Sequence, residues 1–142
     1  REERGWAYAI GSGVDLFSDA GSVSVGAGLP KNKLNEAVEL MTEIAIGLAG
    51  GNKWAIKKEE VEIAKDTFRG RFSLNMDRPE TVLGAALWDS MFRDKIYSPD
   101  EILKRVEAVS IVDIKNLAAE IFRKETMSIA VVGDYKKLDF DI

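Results

Sequence analysis

The chain has no histidine and no cysteine among its 142 residues. Catalytic zinc sites are normally built from histidine with carboxylate or cysteine support, and serine or cysteine hydrolases normally use histidine as their base. Without cysteine, the chain also has no disulfide, no thiol nucleophile and no soft metal ligand. Much of the machinery for any hydrolytic chemistry must therefore lie elsewhere.

The sequence also lacks a long apolar run and a block of basic residues. No stretch reaches the roughly 20 residues that a membrane-spanning helix needs, and no charged-then-apolar leader opens the chain. The net charge of -4 comes from Lys, Arg, Asp and Glu mixed along the chain, which is unsuited to following a phosphate backbone. We therefore expect no membrane and no nucleic acid as partner, and a soluble protein with the cytoplasm favoured over the periplasm.

What is present is enough apolar material for one domain. Apolar residues make up 46% of the chain, which at this length can bury a single hydrophobic core. The opening residues, Arg1-Glu2-Glu3-Arg4, are typical of the end of a helix. This start predicts that the chain is a fragment lacking preceding structure.

Two segments near the start alternate large and small residues, which is the period of a β-strand. The turn-forming residues Asp19, Ala20 and Gly21 lie between them. The pattern predicts an antiparallel hairpin. The large residues are Trp6, Tyr8, Ile10, Val14 and Leu16 in the first segment and Val23, Val25, Ala27 and Leu29 in the second.

After Pro30 the apolar period changes to that of helices. Ser98-Pro99-Asp100-Glu101 is a clear capping box. Ser110 and Asp113 have the same spacing as Ser98 and Glu101, so they predict a second helix start. We predict one helix with Asn32 as its candidate cap and Gly50-Gly51 as its end. Four more are predicted over 58–76, where no strong capping residue precedes the helix, and over 79–91, 99–109 and 111–124.

The apolar segment 127–133 predicts a third, central strand. The fold class is therefore α+β, with a mainly antiparallel sheet covered on one face by helices. Because three strands make a thin sheet, we expect the domain to be incomplete at its N-terminus, lacking its first strands and a helix. We place the domain at residues 1–134 and a charged peripheral tail at 135–142.

Residues 1–8, Arg-Glu-Glu-Arg-Gly-Trp-Ala-Tyr, resemble a segment of the C-terminal domain of pitrilysin/insulinase-family zinc metallopeptidases, the inverzincins, and especially of their mitochondrial-processing-peptidase-like branch. No single piece is strongly specific, and the ordered set carries the resemblance over nearly the whole chain. Two features depart from the family's pattern. Lys57 stands where the family has a Thr-type helix cap, and the 50–54 loop is longer than usual. The further matching pieces are Ala27-Gly28, Ala37, residues 60–65, 98–102, Val109-Ser110 and 130–133.

The resemblance implies a clamp in which two similar halves enclose an extended peptide, which adds as a strand to the clamp wall. In the family, zinc is held in the N-terminal half by an H-x-x-E-H helix whose Glu activates the metal-bound water. This sequence contains no such motif. The implied cofactor is therefore Zn²⁺ bound outside this segment. The implied partners are the peptide substrate and an N-terminal zinc-binding half or subunit, with a homo- or heterodimer left open.

The C-terminal half contributes an arginine and a tyrosine in the family, and these match Arg1 and Tyr8. Attack of water on an amide builds negative charge on the carbonyl oxygen, which preorganised donors stabilise. The resemblance implies that Tyr8 donates its phenol O–H to that oxygen. Arg1 would bind a neighbouring substrate carbonyl or support the developing charge. Both residues are thus candidates for catalysis and substrate binding, and no residue here is a candidate metal ligand.

Arg1 and Tyr8 can reach one substrate only if the chain turns between them. Seven fully extended residues would separate them by roughly 23 Å, which is too far for one oxygen. Gly5 lies between them and can adopt the backbone angles that a helix-to-strand junction requires. We therefore expect Tyr8 on the strand after a turn, with Arg1 folded back toward its hydroxyl.

Other features that could suggest sites have simpler structural interpretations. Gly11-Ser12-Gly13 lies inside a strand pattern and opens no helix, which disfavours a phosphate loop. Asp15 and Asp19 fit a hairpin turn better than a metal pair. We expect Trp54, Trp88 and Phe92 in the core or at an interdomain surface, and Arg69 and Arg71 on a solvated helix face.

The predicted function is the substrate-binding half of a zinc-dependent endopeptidase that hydrolyses peptides or presequences, with Arg1 and Tyr8 as donors opposite the zinc. This segment alone is expected to be inactive because it lacks the zinc motif. The alternative is a non-catalytic family member that serves as a structural or peptide-binding partner subunit. An unrelated α+β interaction domain is a third hypothesis.

Overall fold

The computed structural model describes residues 3–134. They form two compact units, one made of residues 3–55 and 115–134 and the other of residues 56–114. A two-stranded sheet and five α-helices confirm the α+β class. The elements are β1 (Ala9–Leu16), β2 (Gly21–Gly28), α1 (Leu34–Gly47), α2 (Lys58–Met76), α3 (Pro79–Phe92), α4 (Pro99–Ala108) and α5 (Ile111–Ile121), with short 3-10 turns at Lys31–Lys33 and Lys124–Thr126.

The predicted hairpin is present. β1 and β2 pair antiparallel in a register that runs from Ala9 opposite Gly28 to Leu16 opposite Gly21. The turn is closed by the Phe17 N–H, which donates to the Ala20 carbonyl at 2.9 Å. The Gly-Ser-Gly sequence therefore lies inside β1, as expected. Next to the turn, Asp15 accepts a hydrogen bond from the Ser22 hydroxyl at 3.3 Å.

α1 supplies most of the buried side chains of the first unit, which are Leu34, Ala37, Val38 and Ala45, together with Ala118 of α5. The helix begins after the 3-10 turn, and no side chain caps it, so the predicted Asn32 cap is wrong. Instead, the Lys33 ammonium bonds the Glu36 carboxylate in the first helical turn at 2.8 Å. The helix ends at Gly47, before Gly50 and Gly51, which both have positive φ.

In the second unit, α2 has the predicted bounds and contacts α3 and α4. Its missing cap is supplied by Glu60, whose carboxylate accepts from the Lys57 N–H at 2.8 Å. Arg69 lies on an exposed helix face, as expected, and it also pairs with Asp66 at 2.6 Å and with Glu107 of α4. The pair with Glu107 was not predicted, because Glu107 is distant in sequence and is brought close only by helix packing.

Both predicted capping boxes form. The Ser98 hydroxyl accepts from the Glu101 N–H at 3.3 Å, and the Glu101 carboxylate accepts from the Ser98 N–H at 2.9 Å. Ser110 and Asp113 make the same reciprocal pair at 3.2 and 2.8 Å. The ends of these two helices, at Ala108 and Ile121, come slightly earlier than predicted.

The predicted third strand does not form, because residues 127–132 have no strand hydrogen bonding in the described chain. Met127 has extended backbone angles, but β1 and β2 pair only with each other among the described residues. Extended residues become a strand only when a neighbour completes their hydrogen bonds. Val132 is accordingly fully exposed.

The predicted tail at 135–142 lies outside the described residues, so the domain limits stay a prediction. Within residues 3–134, every helix falls short of the length or the apolar character needed to cross a bilayer.

Candidate functional site

A left-handed turn precedes the first strand. Gly5 has a φ of 61°, a backbone conformation that side-chain-bearing residues rarely adopt. The chain then passes through Trp6 and Ala7 to Tyr8, whose N–H donates to the Gly28 carbonyl at 2.9 Å. The predicted turn is therefore present at Gly5, but Tyr8 directly precedes β1 and does not lie within it, while its backbone bonds the partner strand.

The phenol of Tyr8 is open to solvent. Its side chain is 92% exposed and makes no hydrogen bond within residues 3–134. Beside it is an open hollow of about 570 Å³. Tyr8 is thus free to donate to a bound molecule. The hollow is lined by residues 5–8 on one side and residues 28–30 on the other.

Arg1, the second predicted site residue, lies outside the described residues. Its expected approach to the Tyr8 hydroxyl therefore stays a prediction.

Two cations among the described residues lie over the ring of Trp6. The Arg4 guanidinium carbon lies 4.8 Å from the centroid of the Trp6 ring, and the Lys33 ammonium lies 5.0 Å from it. Lys33 is fixed in turn by both oxygens of Glu36, at 2.8 and 3.0 Å. Sequence reasoning missed this cluster, because it treated Trp6 only as one large residue of a strand pattern and no local spacing links Trp6 to Lys33.

A second, apolar hollow of about 230 Å³ lies between the hairpin and α1. Its walls include Trp6 and Ile10 on one side and Met41 and Ile44 on the other. Trp54 completes the wall, and its indole N–H is buried without a hydrogen-bond partner in the described chain. The sequence expectation that Trp54 packs in a core is consistent with this position.

The described residues do not fit a zinc ion. Among residues 3–134 there is no group of three or more His, Cys, Asp or Glu side chains that could hold a metal. Histidine and cysteine are missing from the whole sequence. The described residues therefore offer no metal site, whereas the exposed phenol of Tyr8 is a hydrogen-bond donor.

A second charged cluster surrounds Tyr97 in the other unit. Its ring is approached by Arg93, Lys95 and Arg105 at 5.4, 4.7 and 4.5 Å. The buried Asp89 ties the cluster to α3, because it pairs with Arg93 at 2.9 Å and accepts from the Tyr97 N–H at 2.9 Å. Most of these charges are thus satisfied internally, which indicates a structural role.

Comparison with known proteins links this geometry to a family. A family model described as "Peptidase M16 inactive domain" matches residues 1–68, the part that contains the Gly5 turn, Tyr8 and the hairpin. An uncharacterized zinc protease of Mycobacterium leprae is 26% identical over 95% of this chain and 29% of its own length. Others from Bacillus subtilis and Rickettsia bellii are 24% and 29% identical, over 88% and 94% of this chain and 30% and 31% of theirs.

The chain is similar to the peptidase M16 family model over residues 1–68 and to zinc proteases over most of its length. This confirms the resemblance seen in residues 1–8 and in the ordered segments after them. The chain spans about three tenths of the length of these curated relatives, all of which are named zinc proteases. Assignment to the processing-peptidase-like branch is not tested by these matches and stays a prediction.

Proposed function

We propose that this chain is the substrate-binding, non-zinc half of a zinc-dependent endopeptidase, with Tyr8 and Arg1 as hydrogen-bond donors to the substrate carbonyl. The observation that carries the proposal is the position of Tyr8. Its backbone is bonded to β2 directly after the left-handed Gly5 turn, while its phenol is 92% exposed beside an open hollow. A fixed backbone with a free donor is what stabilisation of a developing charge requires.

In this proposal an extended peptide lies across the hollow beside Tyr8. The phenol O–H donates to the scissile carbonyl oxygen, and the bond strengthens as water attack moves negative charge onto that oxygen. Substrate binding would also shield the exposed phenol from water, which strengthens the hydrogen bond further. Tyr8 therefore lowers the barrier without transferring its proton.

Arg1 would support the same charge or bind a neighbouring carbonyl. Its guanidinium carries several donors and stays protonated at any working pH, which suits an oxyanion. Zinc and its activated water would come from another part of the protein, as the names of the relatives suggest. This chain supplies binding and charge stabilisation only.

The test is peptide hydrolysis by the complete protein that contains this chain. Tyr8→Phe removes one hydroxyl from an exposed side chain, so the fold should be unchanged and kcat should fall about 100-fold, as for loss of one oxyanion donor. A chelator should abolish the activity, and added zinc should restore it.

Tyr97→Phe is the matched control, because it removes the same hydroxyl from the other unit, and its kcat should stay at the wild-type value. Full activity of Tyr8→Phe would contradict the proposed role of Tyr8.

A second candidate is a non-catalytic partner subunit that holds peptides. The description of the matching family model as an inactive domain favours it. In that case the complete protein would bind an extended peptide without cleaving it. Tyr8→Phe would then weaken binding only slightly, because the substrate carbonyl would never acquire the charge that the phenol stabilises.

A further inference from the structure

We infer that Trp6 is a positioning residue for Tyr8, acting through the stack formed by Arg4, Trp6, Lys33 and Glu36. The inference rests on the proposed function of Tyr8. The stack itself is a geometric feature of the first unit, which joins the segment before β1 to the start of α1.

Tyr8 needs a positioning residue because its own side chain is exposed. A phenol that is 92% exposed has little packing to hold it, so its placement depends on the backbone that carries it. One backbone hydrogen bond, from the Tyr8 N–H to the Gly28 carbonyl, fixes that backbone on its β1 side. On the other side is Gly5, whose lack of a side chain makes the chain intrinsically flexible.

Trp6 lies between these two points and is half-buried, unlike its neighbours Gly5 and Tyr8. Two cations on its ring restrict it, because each is attracted to the negative face of the indole. The Arg4 cation comes from the other side of the Gly5 turn, so the contact also closes the turn. Loss of the ring would therefore release both the turn and the segment leading to Tyr8.

Lys33 connects the stack to the core. Both oxygens of Glu36 hold its ammonium, at 2.8 and 3.0 Å. The residue after Lys33 is Leu34, which is buried and begins α1. Trp6 is thus tied to a helix that contributes most of the buried residues of its unit, rather than to another exposed segment.

The test measures amide hydrogen exchange of residues 6–9 in the complete protein. In Trp6→Ala these amides should exchange roughly tenfold faster, because two cation–π contacts no longer oppose local opening. Trp6→Phe keeps an aromatic face and should recover most of the protection. Lys33→Met, which leaves the ring in place and removes one cation, should give a smaller increase. The control Trp88→Ala, in the other unit, should leave these amides unchanged.

Activity separates positioning from simple structural support. Trp6→Ala should lower kcat/KM by about tenfold, mostly through kcat, because a displaced donor is lost in the transition state. In a Tyr8→Phe background the same change should have little further effect, since there is no phenol left to position. A purely structural role would lower kcat/KM equally in both backgrounds.

The possible failures are distinguishable. Unchanged exchange of residues 6–9 in Trp6→Ala would overturn the role of Trp6, whatever the activity. Faster exchange combined with full activity of Tyr8→Phe would overturn the proposed function, while the stack would stand as the device that holds the segment. An equal loss in both backgrounds would overturn the positioning role.

Discussion

Gly5 and Gly47 are required for different reasons. Gly5 has a φ of 61° and no atom within 4 Å of the place where a Cβ would sit, so its requirement is conformational. At Gly47 a Cβ would clash with the Asn52 side-chain oxygen and would lie 2.7 Å from the Trp54 Cβ, so its requirement is space. The first could be predicted from the need for a turn before Tyr8. The second could not, because it depends on how the 48–54 loop folds back on α1.

Replacing Gly47 with alanine should therefore destabilise the protein. The new methyl must displace Asn52 and Trp54, and overpacking of this kind costs about 1–3 kcal/mol. The control is Gly84→Ala in α3, where nothing lies within 4 Å of the added Cβ. There alanine should stabilise the protein by about 0.4–1 kcal/mol, because it restricts the unfolded chain. Urea unfolding measures both changes, and equal effects would contradict the packing at Gly47.

The candidate site was predictable only in part. The Gly5 turn was predictable from the distance that seven residues can span, whereas the role of Tyr8 stays a prediction from the resemblance. The contacts of Trp6 could not be predicted from the sequence. Lys33 comes close to the Trp6 ring only because the hairpin brings the chain back along β2. Contacts between residues distant in sequence need the fold before they can be predicted.

At the scale of single elements, the helices were predicted best where their starts carry local chemistry. The boxes at Ser98 and Ser110 formed as expected, because each needs only side chains three residues apart. The hairpin was also predictable, because large and small residues alternate along both strands and turn-forming residues lie between them. Segment 127–133 was mispredicted as a strand because strand formation depends on a partner, and apolar character alone does not supply one.

The α4 capping box should make stability depend on acid pH. The Lys95 ammonium, followed by the Ser98 N–H, lowers the pKa of Glu101 from its ordinary 4.5 to about 2. A carboxyl whose pKa is lower in the folded state contributes its stability above pH 4.5 and loses it as the pH falls toward 2. The urea midpoint should therefore decrease over this range.

In Glu101→Gln the urea midpoint should decrease less as the pH falls from 4.5 toward 2. Glutamine can still accept a hydrogen bond from the Ser98 N–H, but it does not titrate. The matched control is Glu62→Gln on α2, whose carboxylate makes no hydrogen bond or ion pair in the described chain; its acid profile should follow the wild type. If Glu101→Gln and Glu62→Gln gave the same profile, the contribution assigned to Glu101 would be wrong.

At the scale of the whole molecule, the chain supplies only part of the proposed catalytic apparatus. Its sequence has neither histidine nor cysteine, and it covers about three tenths of relatives that are named zinc proteases. The proposed function therefore depends on residues outside this chain as well as on Tyr8 and Arg1. The α+β class and the family resemblance were predictable because they depend on order and periodicity along the sequence, whereas the proposed arrangement of Arg1 and Tyr8 around a substrate depends on the complete protein.

A double-mutant cycle tests that arrangement most directly. Arg1→Gln, Tyr8→Phe and the double variant would be compared by kcat/KM for peptide hydrolysis by the complete protein. Donors that act on one developing charge are coupled, so the double variant should lose clearly less activity than the product of the two single losses. A double loss equal to that product, or full activity of both single variants, would contradict the claim that Arg1 and Tyr8 act together on the substrate carbonyl.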